Sequence, residues 1–359
     1  MRAIILSHVY LDPDRRGKLR ALAGQGATVV AAVPGGDAQE DAGVRLAPIP
    51  VKGDREAPES LHWDQRALRR LFGDVRPDVV QIEEEPDSQL AAAASAEALR
   101  LGVPTVLFSW ESSSRRRGYL ERRRAATSFK AARAAIGGNA LATEHLRLEL
   151  PGVPVVSLPQ LGVAPPPPVE RAPHDKLEIG YVGRLLPERA VDLLLRACAM
   201  IMGPWVLTVA GTGPEQEELE LLAQRLGLAS RIRWLGGISR AEVEALWPAL
   251  DCLVLPGRKS GEWVERWSTV LVDAMAHGVV PVVMEGSVLH AVVGSAGKTG
   301  QDEETLGMAL QNLLALPDER RALSAAARQR VLENYVDAAI AEQTMALWRQ
   351  VVAGGPSGA

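Results

Sequence analysis

The chain has few means of holding itself together other than its own packing. Only two cysteines, Cys198 and Cys252, occur in 359 residues, both in apolar surroundings, which excludes a disulfide framework and suits a reducing compartment. No His/Cys run has metal-ligand spacing. No window reaches the roughly 18 uninterrupted apolar residues that a membrane-spanning helix needs. The opening Met1-Arg-Ala-Ile-Ile-Leu-Ser reads as a strand, without the longer apolar stretch of a signal peptide. These gaps predict a soluble, cytoplasmic protein without a metal centre. A net charge of −4 offers no general coat for nucleic acid. With 47% hydrophobic residues, by contrast, the chain is long enough to bury two cores of ordinary domain size.

The first half alternates buried, β-rich runs (3–8, 28–33, 79–82, 105–110 and 134–137) with helical ones (16–24, 63–72 and 88–101). This pattern predicts a parallel sheet covered on both faces. Asp12-Pro-Asp14 has the look of a metal-binding pair, but its proline after a first strand favours a plain turn. Glu83-Glu-Glu85 closes a strand at the ligand end of such a sheet. Three adjacent carboxylates repel, so at least one needs a positive partner or open water. Beyond Trp110 comes the most lopsided charge in the chain: Arg115, Arg116, Arg117, Arg122, Arg123, Arg124, Lys130 and Arg133, relieved by Glu121. A basic helix of this kind can hold an anionic acceptor, lie against an anionic membrane surface, or simply present a solvated face.

Four prolines at 165–168 form a stiff connector, and the alternation then begins again. Strands are expected near 178–182, 206–209, 232–235, 252–255 and 279–283, with helices near 187–202, 214–226, 240–250 and 268–276. The tail 317–352 reads as helical with a break near Asn334, and 353–359 as a frayed end. Three strand ends carry ligand-type chemistry. Gly183-Arg184 through Pro187 to Arg189 joins a glycine to two arginines that could converge on one anion. Gly211-Thr-Gly213 turns into a helix, though without the spacing of a dinucleotide fingerprint. Trp234 precedes a glycine pair and could border a flat base. In the fourth stretch, Trp263 to Gly278, Glu265 falls in a loop and Asp273 inside a short helix capped by Ser268 and opened by Thr269.

These motifs together resemble the retaining glycosyltransferases of family 4. Gly183-Arg-Leu-Leu-Pro-Glu-Arg-Ala190 is similar to the family's Gly-Arg-Leu-x-x-x-Lys-Gly, and Glu265-x7-Asp273 to its Glu-x7-Glu. Trp263-x-Glu265, Glu85-Pro-Asp-Ser and Pro159-Gln-Leu-Gly-Val resemble a bacterial branch. The resemblance implies an α/β GT-B fold: two facing Rossmann-like domains, 1–164 on the acceptor side and 165–335 for the nucleotide sugar, with 336–359 as a C-terminal helix returning to the first. It implies that a sugar passes, without metal or resident cofactor, from a nucleoside diphosphate to an acceptor bound between the domains. Arg184, Arg189 and Glu265 would be catalytic. Gly183, Gly211, Gly213, Trp234, Trp267, Ser268, Thr269 and Asp273 would bind donor. Glu85, Trp110, Arg116 and Arg123 would face a small-molecule, glycan or lipid-linked acceptor, and the basic run 115–133 could meet the inner membrane face. Nucleic acid is not expected. Departures from the pattern are Glu265-Arg-Trp-Ser268 for the family's Glu-x-Phe-Gly, a shortened loop from Met284, and no histidine at 108–114. They leave two alternatives: a non-catalytic sugar-nucleotide-binding or partner protein, and a sugar-nucleotide epimerase.

Overall fold

The computed structural model describes residues 1–53, 61–112, 116–168, 174–258 and 265–354. Arg115 and Trp263, named above, lie outside the described residues. Backbone packing divides the chain into two units, Met1–Ala164 with Val336–Ala359, and Pro165–Tyr335.

The first unit is built on an eight-stranded sheet. Its order is Val155–Ser157, Ala132–Gly137, Thr105–Ser109, Val79–Ile82, Arg2–Leu6, Thr28–Pro34, Val44–Ile49 and Gln39–Asp41. Every pairing is parallel except the last, at the edge. Successive residues of a strand face opposite sides. Ala3 and Ile5 accordingly join a core with Leu19, Leu22, Met345 and Trp348, while Ile4 and Leu6 join another with Leu68, Phe72, Leu90 and Ala94. Helices Gly17–Gly24 and Asp337–Ala353 thus cover one face, and Gln65–Val75 and Gln89–Leu101 the other. Asp64 and Ser88 begin the latter two by accepting a backbone N–H three residues on.

The second unit has six parallel strands in the order Ile232–Gly236, Trp205–Ala210, Leu177–Val182, Cys252–Leu255, Val280–Met284 and Lys298–Gly300. Edge strands such as Lys298–Gly300 and Val155–Ser157 are too short to announce themselves in sequence. Two expected helices are interrupted. In place of 187–202 there is a 3-10 turn, Pro187–Arg189, then the helix Val191–Ala199, parted by Ala190 at φ 51°, which no helix interior allows. The helix from Arg240 stops at Leu246 and passes into the 3-10 turn Trp247–Ala249, because Pro248 has no N–H to continue it. The tail breaks at Tyr335-Val336, as its sequence suggested.

Candidate active site

In an open α/β sheet, the loops leaving the carboxyl ends of two neighbouring strands part where strand order reverses, and ligands bind there. The second sheet reverses between Leu177–Val182 and Cys252–Leu255. Gly183, Arg184 and Arg189 follow the first of these strands, and Glu265 follows the second. The two loops are tied together: Arg258 donates its backbone N–H to the Glu188 carbonyl at 2.8 Å, and the Arg189 guanidinium forms an ion pair with the Glu265 carboxylate. Arg184 is exposed, while its carbonyl accepts the Tyr181 hydroxyl at 2.8 Å. Burial holds that hydroxyl well above the usual phenol range, against the pull of Arg189.

The glycines here serve the contact between loops. A Cβ on Gly211, at φ +144°, would lie 1.8 Å from the Gly183 carbonyl oxygen, and one on Gly213 would lie 2.1 Å from that of Leu185. Backbone hydrogen bonds stitch the same segments, from Gly183 to Ala210 and from Leu185 to Thr212. Only residues without side chains let two strand ends run this close.

Ser268 caps the helix Thr269–Ala276 by accepting the Leu271 N–H at 3.2 Å. Thr269 is exposed at its first turn, and Trp267 meets Tyr335 edge-on, ring centroids 5.6 Å apart. Asp273 is half-buried, four residues before His277, whose Nδ1 lies 2.8 Å from the Asp273 carbonyl. Burial raises the Asp273 carboxyl above the usual carboxylate range; Arg240 and His277 oppose the shift and Glu244 adds to it. Trp234 stands within the edge strand Ile232–Gly236, as the expected strand 232–235 placed it.

In the first unit the three adjacent glutamates divide three ways. Glu83 is fully buried against Lys18 and also accepts the Tyr10 hydroxyl at 2.5 Å and the Gln81 amide at 2.5 Å. Glu84 accepts the His8 backbone N–H at 2.6 Å and lies 2.8 Å from His8 Nδ1. Glu85 accepts the Ser109 hydroxyl at 2.6 Å and the Trp110 N–H at 2.8 Å. Trp110 in turn donates its indole N–H to Gln160 at 3.1 Å and packs on Gly138, where a Cβ would sit 2.3 Å from the ring. Glu85 and Trp110 are therefore brought together, with Gln160 as a third member. His8 reads in sequence as the end of a strand, so nothing local marks it. Asp12 and Asp14 form the expected turn, Asp12 accepting the Asp14 N–H at 3.0 Å and pairing with Arg15.

The basic run separates by role. Arg117 bridges Asp87 and Glu149 at 3.3 and 2.7 Å, and Arg124 donates to the Asp87 carbonyl at 2.6 Å. Arg116, Arg122 and Arg123 are exposed. Beside them, at the start of the helix Tyr119–Ala131, Tyr119 and Leu120 are 66% and 64% exposed.

A family model described as "Glycosyl transferases group 1" matches residues 167–330, and one described as "Glycosyl transferase 4-like domain" matches 16–141. A GDP-mannose-dependent alpha-(1-6)-phosphatidylinositol monomannoside mannosyltransferase of Mycolicibacterium smegmatis is 31% identical over 173 residues, 45% of this chain and 44% of that protein. The chain thus aligns with less than half the length of that relative. Among solved structures, sucrose-phosphate synthase from Thermosynechococcus elongatus superposes with a TM-score of 0.70 at 18% identity, over 99% of this chain and 100% of that one. Anabaena HepE in complex with UDP gives 0.69 at 14% identity, over 98% and 100%.

Proposed function

We propose that this chain, which matches the two glycosyltransferase family models over 167–330 and 16–141 and has a GT-B fold of two Rossmann-like domains, is a retaining transferase. A sugar would pass from a nucleoside diphosphate held by the second unit to an acceptor held by the first. The observation that carries this is the meeting of Arg189 and Glu265 from the two strands flanking the reversal of the second sheet. A diphosphate placed there would find Arg184 and Arg189 for its developing charge. The N-terminus of the helix Thr269–Ala276 would add to them. Asp273 would accept hydrogen bonds from the ribose, which offsets the cost of its partly buried charge.

In the reaction the bond from the anomeric carbon to the diphosphate breaks, its electron pair leaving on the phosphate. The acceptor oxygen forms the new bond on the same face. No protein nucleophile is required, and the cations of the chain take the part a metal plays elsewhere. The complex of HepE with UDP supports a nucleotide-sugar donor. Exposed Tyr119 and Leu120 among Arg116, Arg122 and Arg123 support an acceptor met at an anionic membrane surface, in keeping with the lipid-linked acceptor in the name of the mycobacterial relative. Incubation with a panel of nucleotide sugars and acceptors tests the reading. Free nucleoside diphosphate should appear with or without chelator, and the product should keep the donor's anomeric configuration by NMR. An inverted product would reject retention, and no release from any donor would reject the transferase.

A further inference from the structure

At the reversal of the second sheet, the two flanking strands are joined only at their roots. The pairing of Leu177–Val182 with Cys252–Leu255 sets Ile179 against Cys252 and Gly180 against Leu253 and ends there, although the strands run on to Val182 and Leu255. Their carboxyl ends part, and the segments that follow meet again through other contacts. Each segment brings one cation and one anion. After the first strand come Arg189 and, in the first turn of the helix Val191–Ala199, Asp192. After the second come Arg258 and Glu265. The pairs cross: Arg189 goes to Glu265, and Arg258 Nη2 reaches back to Asp192 Oδ1 at 2.5 Å. Between them lies the bond from the Arg258 backbone N–H to the Glu188 carbonyl, at 2.8 Å.

The Arg258–Asp192 pair adds little to the stability of the fold. Its side chains are 45% and 34% exposed, and ion pairs in that setting are weak. Its effect is on the register of the two segments. It is anchored 66 residues away along the chain, and it flanks the one backbone bond between them, one residue from Arg189. Ala190, which joins Arg189 to the helix of Asp192, is buried at φ 51°, a left-handed conformation that an alanine keeps only where its surroundings over-determine it. Arg189 and Asp192 are thus set rigidly with respect to each other, and holding one places the other. A second pair also has a use that the first cannot serve. A diphosphate that draws Arg189 away from Glu265 opens the first pair, whereas the second and the backbone bond stay closed.

We propose that Asp192 and Arg258 are positioning residues of the diphosphate site: their ion pair keeps the Arg258 N–H on the Glu188 carbonyl and so holds Arg189 and Glu265 in place as ligand enters and leaves. The proposal rests on the transferase reading above. Without the pair, the two segments would have to be ordered by the ligand itself, and that ordering is subtracted from affinity.

The test uses the full chain, with UDP and GDP as probes and uridine and guanosine as their nucleoside controls. Arg258→Met keeps the backbone N–H and the length of the side chain, and Asp192→Asn keeps its shape. Each should weaken diphosphate binding by calorimetry about threefold to tenfold, within the coupling seen between residues of one ion-pair network. Nucleoside affinity should be unchanged, and the ratio of wild type to variant should shrink as salt is added, since the pair is half-exposed. Asp192→Arg with Arg258→Asp should restore most of the loss. In an Arg189→Ala background, Arg258→Met should cost nothing more. Arg196→Met breaks an exposed pair of the same helix with Glu303, 3.8 Å away, and should leave binding as it is. Melting temperatures of all the variants should stay within a few degrees of wild type. Full diphosphate affinity in both single variants, or losses that simply multiply with that of Arg189→Ala, overturns the positioning role. So does a loss in Arg258→Met without one in Asp192→Asn, because Arg258 would then be a direct ligand. A wild-type chain that binds UDP and GDP no better than their nucleosides overturns the diphosphate site, and the transferase reading with it.

Discussion

The Arg189 guanidinium and the Glu265 carboxylate form an ion pair between two loops that leave neighbouring strands, 76 residues apart in sequence. Each is therefore held in place by the other before any ligand arrives. A diphosphate would compete with Glu265 for the cation, and the carboxylate would then be free to face the sugar.

Substitution of Arg189 by alanine should weaken nucleoside diphosphate binding by about 1.5–3 kcal/mol, the worth of a charge-assisted hydrogen bond, with nucleoside affinity barely changed. Glu265→Gln should lower kcat more than KM, the mark of an interaction made chiefly in the transition state. Calorimetry and steady-state kinetics read the two effects. Equal losses for nucleoside and diphosphate would make Arg189 a structural residue.

Asp273 is the site where stability and ligand affinity should oppose each other. Its carboxyl is raised by burial, so it favours the folded state when protonated. That contribution is present below the ordinary carboxylate range and is lost as pH rises through the raised value. Asp273→Asn should melt above wild type at neutral pH and lose the advantage near about pH 4. Donor affinity should fall by about 1–3 kcal/mol. A melting temperature well below wild type, with normal donor binding, would make it a helix-packing residue.

Gly211→Ala should damage the second unit. Its φ of +144° and a Cβ 1.8 Å from the Gly183 carbonyl leave no room without moving a strand end, and backbone strain alone costs about 1–3 kcal/mol. Gly24→Ala, whose Cβ meets nothing within 4 Å, is the control and should be neutral. Thermal melts of the pair, with donor titrations, separate the two sites.

Lys18 and Glu83 are 2% and 0% exposed, so Lys18→Met leaves a buried charge unpaired and should cost about 3–5 kcal/mol. Adding Glu83→Gln should recover much of the loss, as denaturant melts would show. A harmless single substitution would mean that water reaches Glu83.

Charge reversal at Arg116 and Arg123 should reduce binding to anionic vesicles in a salt-sensitive way, since both are exposed. Tyr119→Ser with Leu120→Ser should reduce it at every salt concentration, because apolar burial is not screened. Arg124, held by the Asp87 carbonyl, should matter for stability and not for vesicles. Binding indifferent to all four exposed residues would leave this helix face merely solvated.

Local chemistry determined much of this protein. Buried, β-rich runs alternating with helical ones specify parallel sheets covered on both faces, and Ser268 and Gly278 bound a helix that sets Glu265 before it and Asp273 within it. Those choices rest on neighbours a few residues away, which a sequence displays directly. Partner choice rests on contacts between distant segments. Three like glutamates in a row read identically, yet Glu83 goes to Lys18, 65 residues off, and Glu84 to His8, 76 off. Gln81 meets Trp348 across 267. The basic run likewise looks uniform until Asp87 and Glu149 draw in Arg117 and leave Arg116 in water. A hydrogen bond or ion pair forms with whatever group folding brings within about 3 Å. Only the tertiary structure decides which group that is, because parallel crossover connections bring together loop ends that lie far apart along the chain.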